Sequence, residues 1–221
     1  MLVARRRDRL ETLAAETGRA HVIASDLSAP DAPQRLVAEV EALGLHVETL
    51  VNNAGFGLAG RFAALAPERQ LEMVDLNIRA LTALCRLVLP AMVERRSGGI
   101  LNVASTAAFQ AGPHMAVYYA SKAYVLSLTE ALHQELKGSG VRVTALCPGP
   151  TATEFFDVAG AANSRLARMG ADAPGVVRAG LKGLERNRAI VVPGLANRVG
   201  AQASRFLPRA AMRRIIASIK A

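Results

Sequence analysis

Five short apolar runs recur along the chain: HVIASD (21–26), VETLVNNAG (47–55), GGILNVAS (98–105), VRVTALCPG (141–149) and AIVVPG (189–194). Each is closed by small or polar residues. Their apolar residues are contiguous rather than alternating, which is the pattern of strands buried on both faces of a parallel sheet. Leu2-Val3-Ala4, running into Arg5-Arg6-Arg7, reads as the end of one more such strand. Helical periodicity fills the intervals. Asp8 to Thr17 carries Leu10, Leu13 and Ala14 on one face, and Pro30 to Leu43 is a second helix. Pro67 to about Arg95 is a long third, kinked or ended near Pro90. Tyr118 to Lys137 carries Val125, Leu128, Leu132 and Leu136 at helical spacing, and Asp172 to Arg186 begins with an acid. Strand and helix in alternation predict an α/β fold with a doubly wound parallel sheet. No internal repeat or low-complexity linker interrupts the pattern.

Composition narrows the class. Half the residues are hydrophobic (51%) and 20% are charged, which suits one globular domain with a sizeable core. No uninterrupted apolar run reaches the ~18 residues of a membrane span, and no apolar signal core follows the basic start. Cys85 and Cys147 form neither a disulfide framework nor a metal-binding spacing, so the reading is a reduced, cytoplasmic protein with no metal. The formal charge of +9 is local: eight of the 27 basic residues, and none of the 18 acidic ones, lie between Arg186 and Ala221. The rest of the chain is nearly neutral, which argues against a nucleic-acid-binding protein.

In doubly wound sheets ligands bind at the carboxyl ends of the strands. The expected rim is therefore Arg5-Arg6, Asp26-Leu27, Asn52 to Gly55, Ser105, and Pro148-Gly149-Pro150. Within YYASK, Tyr118 and Lys122 are four apart and share a helical face. A free phenol, with a pKa of ~10, is a poor acid–base group at neutral pH, and a nearby ammonium would lower that value. Such a pair is also an ordinary solvated arrangement. Ser105, at a strand end thirteen residues earlier, could hold a substrate carbonyl near the phenol. Asn77, in VDLNIRAL, is a mid-helix asparagine that either is merely tolerated or binds water or backbone.

Taken together, NNAG, the Asn of LNIRA, the strand-end Ser, YxxxK and PGPTAT resemble, in order and spacing, the short-chain dehydrogenase/reductases, from Leu2 to about Gly194. The resemblance implies a Rossmann-like, three-layer α/β/α domain over 1–194, with 195–221 as a basic helical extension. It implies that Tyr118 is the general acid that protonates a ketone oxygen as hydride arrives. Lys122 would lower the pKa of Tyr118 and bond the nicotinamide ribose, Ser105 would position the carbonyl, and Asn77 would hold a water linking Lys122 to solvent. Asn53, Ala54 and Gly55 would line the cofactor, Asp26 and Leu27 the adenine, and Pro148, Gly149 and Thr151 the nicotinamide. The strand end that meets the ribose 2′ group reads Ala4-Arg5-Arg6, with no acid before Asp8. Arginine there accommodates a 2′-phosphate, so NADP(H) is favoured over NAD(H), with Arg5 and Arg6 on the phosphate. The alternative is that these arginines are simply solvated.

GFGLAG (55–60) matches G-x-G-x-x-G after a strand, but no compact βαβ unit with a strand-end acid follows it, so it is read as a tight loop. The glycine-rich loop of the family should lie between a first strand and a first helix. Leu2-Val3-Ala4 resembles the second strand instead, so the sequence is expected to be N-terminally incomplete, lacking its first βα unit. In the strand order 3-2-1-4-5-6 the first strand is central, and its loss would divide the sheet. Residues 151–170, with Glu154, Phe155, Phe156 and Val158, resemble the family's substrate loop. Their aromatics point to a lipophilic portion of a small carbonyl or alcohol substrate, or to ordinary packing. Beyond Gly194, Pro208 divides two expected helices. The second places Met212, Ile215, Ile216 and Ile219 on one side with Arg209, Arg213 and Lys220 beside them. That face can rest on an anionic membrane surface, cover the body of the fold or pack on another subunit. The family implies a homo-oligomer. A second functional reading is a shortened, inactive protein of the same fold that serves as a binding or membrane-associated interaction module.

Overall fold

The computed structural model describes residues 1–162, 164, 168 and 170–220; residues 163, 165–167 and 169 of the expected substrate loop lie outside them. Every strand pair is parallel, as the contiguous apolar runs predict. Strand β1 (Leu2–Ala4) pairs with β2 (Val22–Ala24), and helix α1 (Arg7–Thr17) makes the crossover between them. After α2 (Ala32–Ala42), a four-stranded sheet follows in the order β3 (Thr49–Asn52), β4 (Gly98–Val103), β5 (Val141–Leu146) and β6 (Ile190–Val191).

Strand alternation on β4 assigns the layers. Ile100 faces a cluster with Val88 and Met92 of helix α4 (Leu81–Glu94), Val125 of helix α5 (Ala116–Glu135) and Val143 of β5. Leu101 and Val103 face the other way, onto Leu146, Leu184 and Val176, the last two from α7 (Ala173–Glu185). The result is the three-layer α/β/α arrangement expected of the sequence. A further cluster of Ile23, Leu27, Leu36, Val40 and Leu84 joins β2 and α2 to α4. The sheet is in two pieces, β1–β2 and β3–β6. Among the described residues β1 and β3 each present one edge without a strand partner, and Val51 on β3 is 47% exposed.

The long helix departs from expectation. It runs without a stop from α3 (Pro67–Val74) through α4, and its irregular part is a π-helical turn at Asp75–Ala80 rather than a kink at Pro90. Pro90 lies on the solvent side, where water can take the bond lost at Arg86. This 28-residue helix is apolar enough to cross a membrane, yet Met73, Leu81, Leu84, Val88 and Met92 are buried in the protein core. At the C-terminal end, α8 (Leu195–Phe206) and α9 (Arg209–Lys220) meet at Pro208; the side chains of Ile219 and Lys220 lie outside the described set.

Helix α7 sits close on the sheet because Gly183 has no side chain: a Cβ there would overlap a Val191 methyl. Gly183→Val should therefore lower stability by about 1–3 kcal/mol, the usual range for overpacking. Urea denaturation, with midpoint and slope compared to the parent, checks it.

Candidate active site

The site is built where β4 and β5 end side by side. The ladder continues past both strands, with Ala104 N–H donating to the Leu146 carbonyl at 2.8 Å and Thr106 N–H donating to the Pro148 carbonyl at 2.8 Å. Ser105, between those two donors, has extended backbone. Its hydroxyl accepts from Ala107 N–H at 3.1 Å and donates to the Pro148 carbonyl at 3.4 Å. Helix α5 then passes beneath this rim. The Lys122 ammonium donates to the Val103 carbonyl at 2.8 Å, which fixes the helix against the end of β4.

Ser105, Tyr118 and Lys122 are thus brought together, as expected. Their electrostatics differ from expectation. Burial pushes the Tyr118 phenol up to about 12, and its hydrogen bond with the Ser105 side chain only partly offsets this. Burial pushes the Lys122 ammonium down to about 8, opposed by the nearby Cys147. The Lys122 ammonium donates to the Val103 carbonyl and lies 5.9 Å from the Tyr118 ring centroid. Phe155, from the short helix α6 (Phe155–Val158), packs on the Tyr118 ring at 5.1 Å between centroids, and Tyr118 is only 9% exposed. In this state the phenol is a protonated acid under an aromatic cover.

Asn77 sits in the π-helical turn and is 1% exposed. Its Oδ1 accepts from Phe56 N–H at 3.1 Å, and its Nδ2 donates to the Phe56 carbonyl at 3.0 Å and to Ser121 Oγ at 3.1 Å. One side chain in this turn thus holds both backbone polar groups of Phe56, in the loop after β3, and reaches α5. The same place explains Gly55: a Cβ would lie 2.9 Å from Asn77 Oδ1 and 3.5 Å from Lys122 Nζ. Asn53, Ala54 and Gly55 are exposed at the strand end, where a ligand can reach them. GFGLAG opens no helix, since the next α-helix begins at Pro67. Thr151 Oγ1 donates to the Gly149 carbonyl at 3.1 Å, so Pro148, Gly149 and Thr151 form one turn beside Ser105.

The other end of the rim is less open than the sequence suggests. Arg5 pairs with Glu72 at 3.5 Å. Arg6 donates to Glu154 at 2.7 Å, and Arg9 donates to the same carboxylate. Hydrogen bonds from Arg6 and then Arg9 hold Glu154 down at about 2. The Asp26 carboxylate, lowered chiefly by its Ser28 hydroxyl bond at 2.6 Å, is bound within its own turn. Leu27 is largely buried with Ile23 and Leu36, and it lines a small hollow together with Asn52 and Ala54.

Asn52 stands on the expected rim, but its link to Asn102 and Thr129 escaped the sequence reading. Asn52 Nδ2 donates to Asn102 Oδ1 at 2.9 Å, and Asn102 Nδ2 donates to Thr129 Oγ1 at 3.0 Å. This buried chain joins β3, β4 and α5 behind the site. The available signal was an asparagine in each of two otherwise apolar strands, since buried amides require partners.

Comparison with known proteins places this geometry. A family model for short chain dehydrogenase matches residues 1–163. A short chain dehydrogenase from Pseudocercospora fijiensis is 38% identical over 159 residues, covering 69% of this chain and 52% of that protein. Sulfoacetaldehyde reductase 2 of Chromohalobacter salexigens is 37% identical over 165 residues, covering 70% and 64%. The chain thus spans between about half and two thirds of these two curated relatives. Among solved structures, a short-chain dehydrogenase from Sphingobium yanoikuyae in complex with NADPH superposes with a TM-score of 0.80, at 32% identity, over 93% of this chain and 82% of that one.

Two outcomes test the geometry. Folded Lys122 releases its proton near 8, whereas the unfolded side chain holds it to 10.5. Unfolding therefore takes up a proton between those values, and this group makes stability rise with pH across that window. In Lys122→Met that component should vanish, a difference on the order of a few kcal/mol in urea unfolding free energies between the ends of the window. Separately, Glu154→Gln removes the carboxylate that ties α6 to Arg6 and Arg9. Amide exchange over 155–158 should quicken, by a few-fold for loss of an exposed ion-pair network.

Proposed function

Because this chain belongs to the short-chain dehydrogenase/reductase family, we propose that it is an NADP(H)-dependent oxidoreductase acting on a small carbonyl or alcohol substrate with a lipophilic portion. The observation that carries this reading is the convergence of Ser105, Tyr118 and Lys122 at the adjoining ends of β4 and β5. A purely structural role does not require a hydroxyl, a phenol and an ammonium at one strand end.

The residues fit both ends of a dinucleotide. Gly55 leaves room beside Lys122 and Asn77 that a side chain would fill. Pro148, Gly149 and Thr151 would flank the nicotinamide, and Arg5 and Arg6 stand at the end of β1, where a 2′-phosphate would be met. Among the described residues none forms a glycine-rich cradle for the pyrophosphate. When bound, the nicotinamide would donate or accept the hydride. The chain's own part is proton placement. Ser105 donates a hydrogen bond to the carbonyl oxygen, and Tyr118, kept protonated by burial, gives its proton to that oxygen. Lys122 and Asn77 hold α5 and the loop after β3 in register, so that the phenol stays where the oxygen forms. Substrate entry requires Phe155 to leave the Tyr118 ring, which Glu154, next to it in sequence, resists through its two arginines.

The outer faces of α3, α4 and α5 expose Leu71, Leu87 and Tyr124, and a second copy of the chain would cover them. The divided sheet gives a specific reason to keep the rival reading, an inactive binding module of the same fold. Tyr118→Phe separates the two. NADPH consumption over a panel of ketones and aldehydes should fall about 10²–10⁴-fold, with NADPH binding retained, the range for losing a general acid. A parent protein that binds NADPH but turns over nothing, and is unchanged by Tyr118→Phe, would establish the binding module.

A further inference from the structure

Helix α5 lines a cavity with its second face. Tyr118, Lys122 and Val125 point toward the sheet, while Ala116, Ala120 and Ala123 lie on the opposite side of the helix. That opposite side lines a half-enclosed cavity of about 560 Å³, within the range of small-molecule sites. Tyr119 forms one wall, and its ring meets Tyr118 edge-on at 6.0 Å between centroids, so the cavity and the candidate active site are separated by a single aromatic layer. The far wall comes from the C-terminal helices, with Met212 and Ser204 facing the alanines.

The polar groups of this cavity are one-sided. Arg209 and Arg213, one turn apart on α9, both line it, and among the described residues no carboxylate does. Neither arginine has an ion-pair partner among the described residues. Arg209 also opens α9, so the positive end of that helix dipole lies at the same place. The remaining lining is mainly small and apolar, with Gln110 and with Ser204, whose hydroxyl donates to the Ala201 carbonyl at 2.7 Å. Two unpaired guanidinium groups over an apolar hollow complement one kind of occupant: a molecule with a hydrocarbon body and an anionic head.

We propose that this cavity binds a single-chain amphiphilic carboxylate, with its head on Arg209 and Arg213 and its chain along Ala116, Ala120 and Ala123. The site is distinct from the phenol–ammonium pair and does not depend on the oxidoreductase reading. It also gives the basic C-terminal helices a monomeric ligand rather than a bilayer surface.

Calorimetric titration of the full chain with decanoate, below its micelle concentration, tests this against decanol as the neutral twin. Decanoate should bind about ten-fold tighter than decanol, as expected of a charge-assisted contact. The double variant Arg209→Ala/Arg213→Ala should bind decanoate about ten-fold more weakly and decanol as before. Ala120→Phe, which fills the cavity from an exposed helix position, should abolish both while its thermal midpoint stays near that of the parent. Unchanged decanoate binding in either variant overturns the proposal. Binding seen only with phosphatidylglycerol vesicles, and not with free decanoate, also overturns it and assigns the tail to a membrane surface.

Discussion

The parallel pairing of β4 with β5 is the constraint on which the rest depends. Six residues of each strand are in register, and the ladder carries on to Ala104 and Thr106. Because both strands are covered on both faces, their ends cannot shift without disturbing two clusters of buried side chains. Ser105 inherits its position from this pairing, and so does the Val103 carbonyl that receives Lys122. Tyr118 is then placed by the helix that Lys122 anchors. One backbone register thus sets three side chains that are distant in sequence.

The same burial that gives positional precision sets the protonation states. A phenol and an ammonium in one apolar surrounding are both driven toward neutrality, so Tyr118 rises and Lys122 falls. The two values therefore move apart, from 10.0 and 10.5 to about 12 and about 8, in the direction opposite to that of a tyrosinate–lysinium pair. In this closed state the tyrosine holds its proton more tightly than a free phenol does, which makes it a weaker acid as well as no base. Removal of Phe155 from the ring would admit the water that brings the phenol back toward its usual range.

Much of this was legible in the sequence because it follows from period and order. Contiguous apolar runs located the sheet, and the four-residue spacing of Tyr118 and Lys122 put them on one face. What was not legible came from partners far apart in the chain. Nothing local to Arg6 announces Glu154, 148 residues away, and nothing local to Phe155 announces the ring it covers. Leu27 follows a strand end, but the turn made by Asp26 and Ser28 directs it into the core. The kink assigned to Pro90 was a local rule overridden by exposure, whereas the real irregularity at Asp75–Ala80 serves Asn77 and carries no proline or glycine to mark it.

The division of the sheet gives the two halves of the rim different mechanical character. The end that would meet a nicotinamide stands on β4 and β5, whose residues are nearly all buried. The β1–α1–β2 unit is joined to the remainder by the Ile23–Leu36–Leu84 cluster, by Arg79 donating to the Ser28 and Pro30 carbonyls, and by ion pairs of Arg5, Arg6 and Arg9. Exposed ion pairs of this kind contribute about 0–1 kcal/mol each and weaken with salt. No ladder hydrogen bond crosses the gap among the described residues, and Val51 faces it or the solvent beside it. The end that would meet a 2′-phosphate therefore rides on the softer half, with its arginines already occupied by carboxylates. A phosphate arriving there competes with Glu72 and Glu154 for the same guanidinium groups. Release of Glu154 would at the same time free the helix that carries Phe155. Cofactor capture and uncovering of the phenol would then be one electrostatic exchange, made beside the division of the sheet and read out at the ends of β4 and β5.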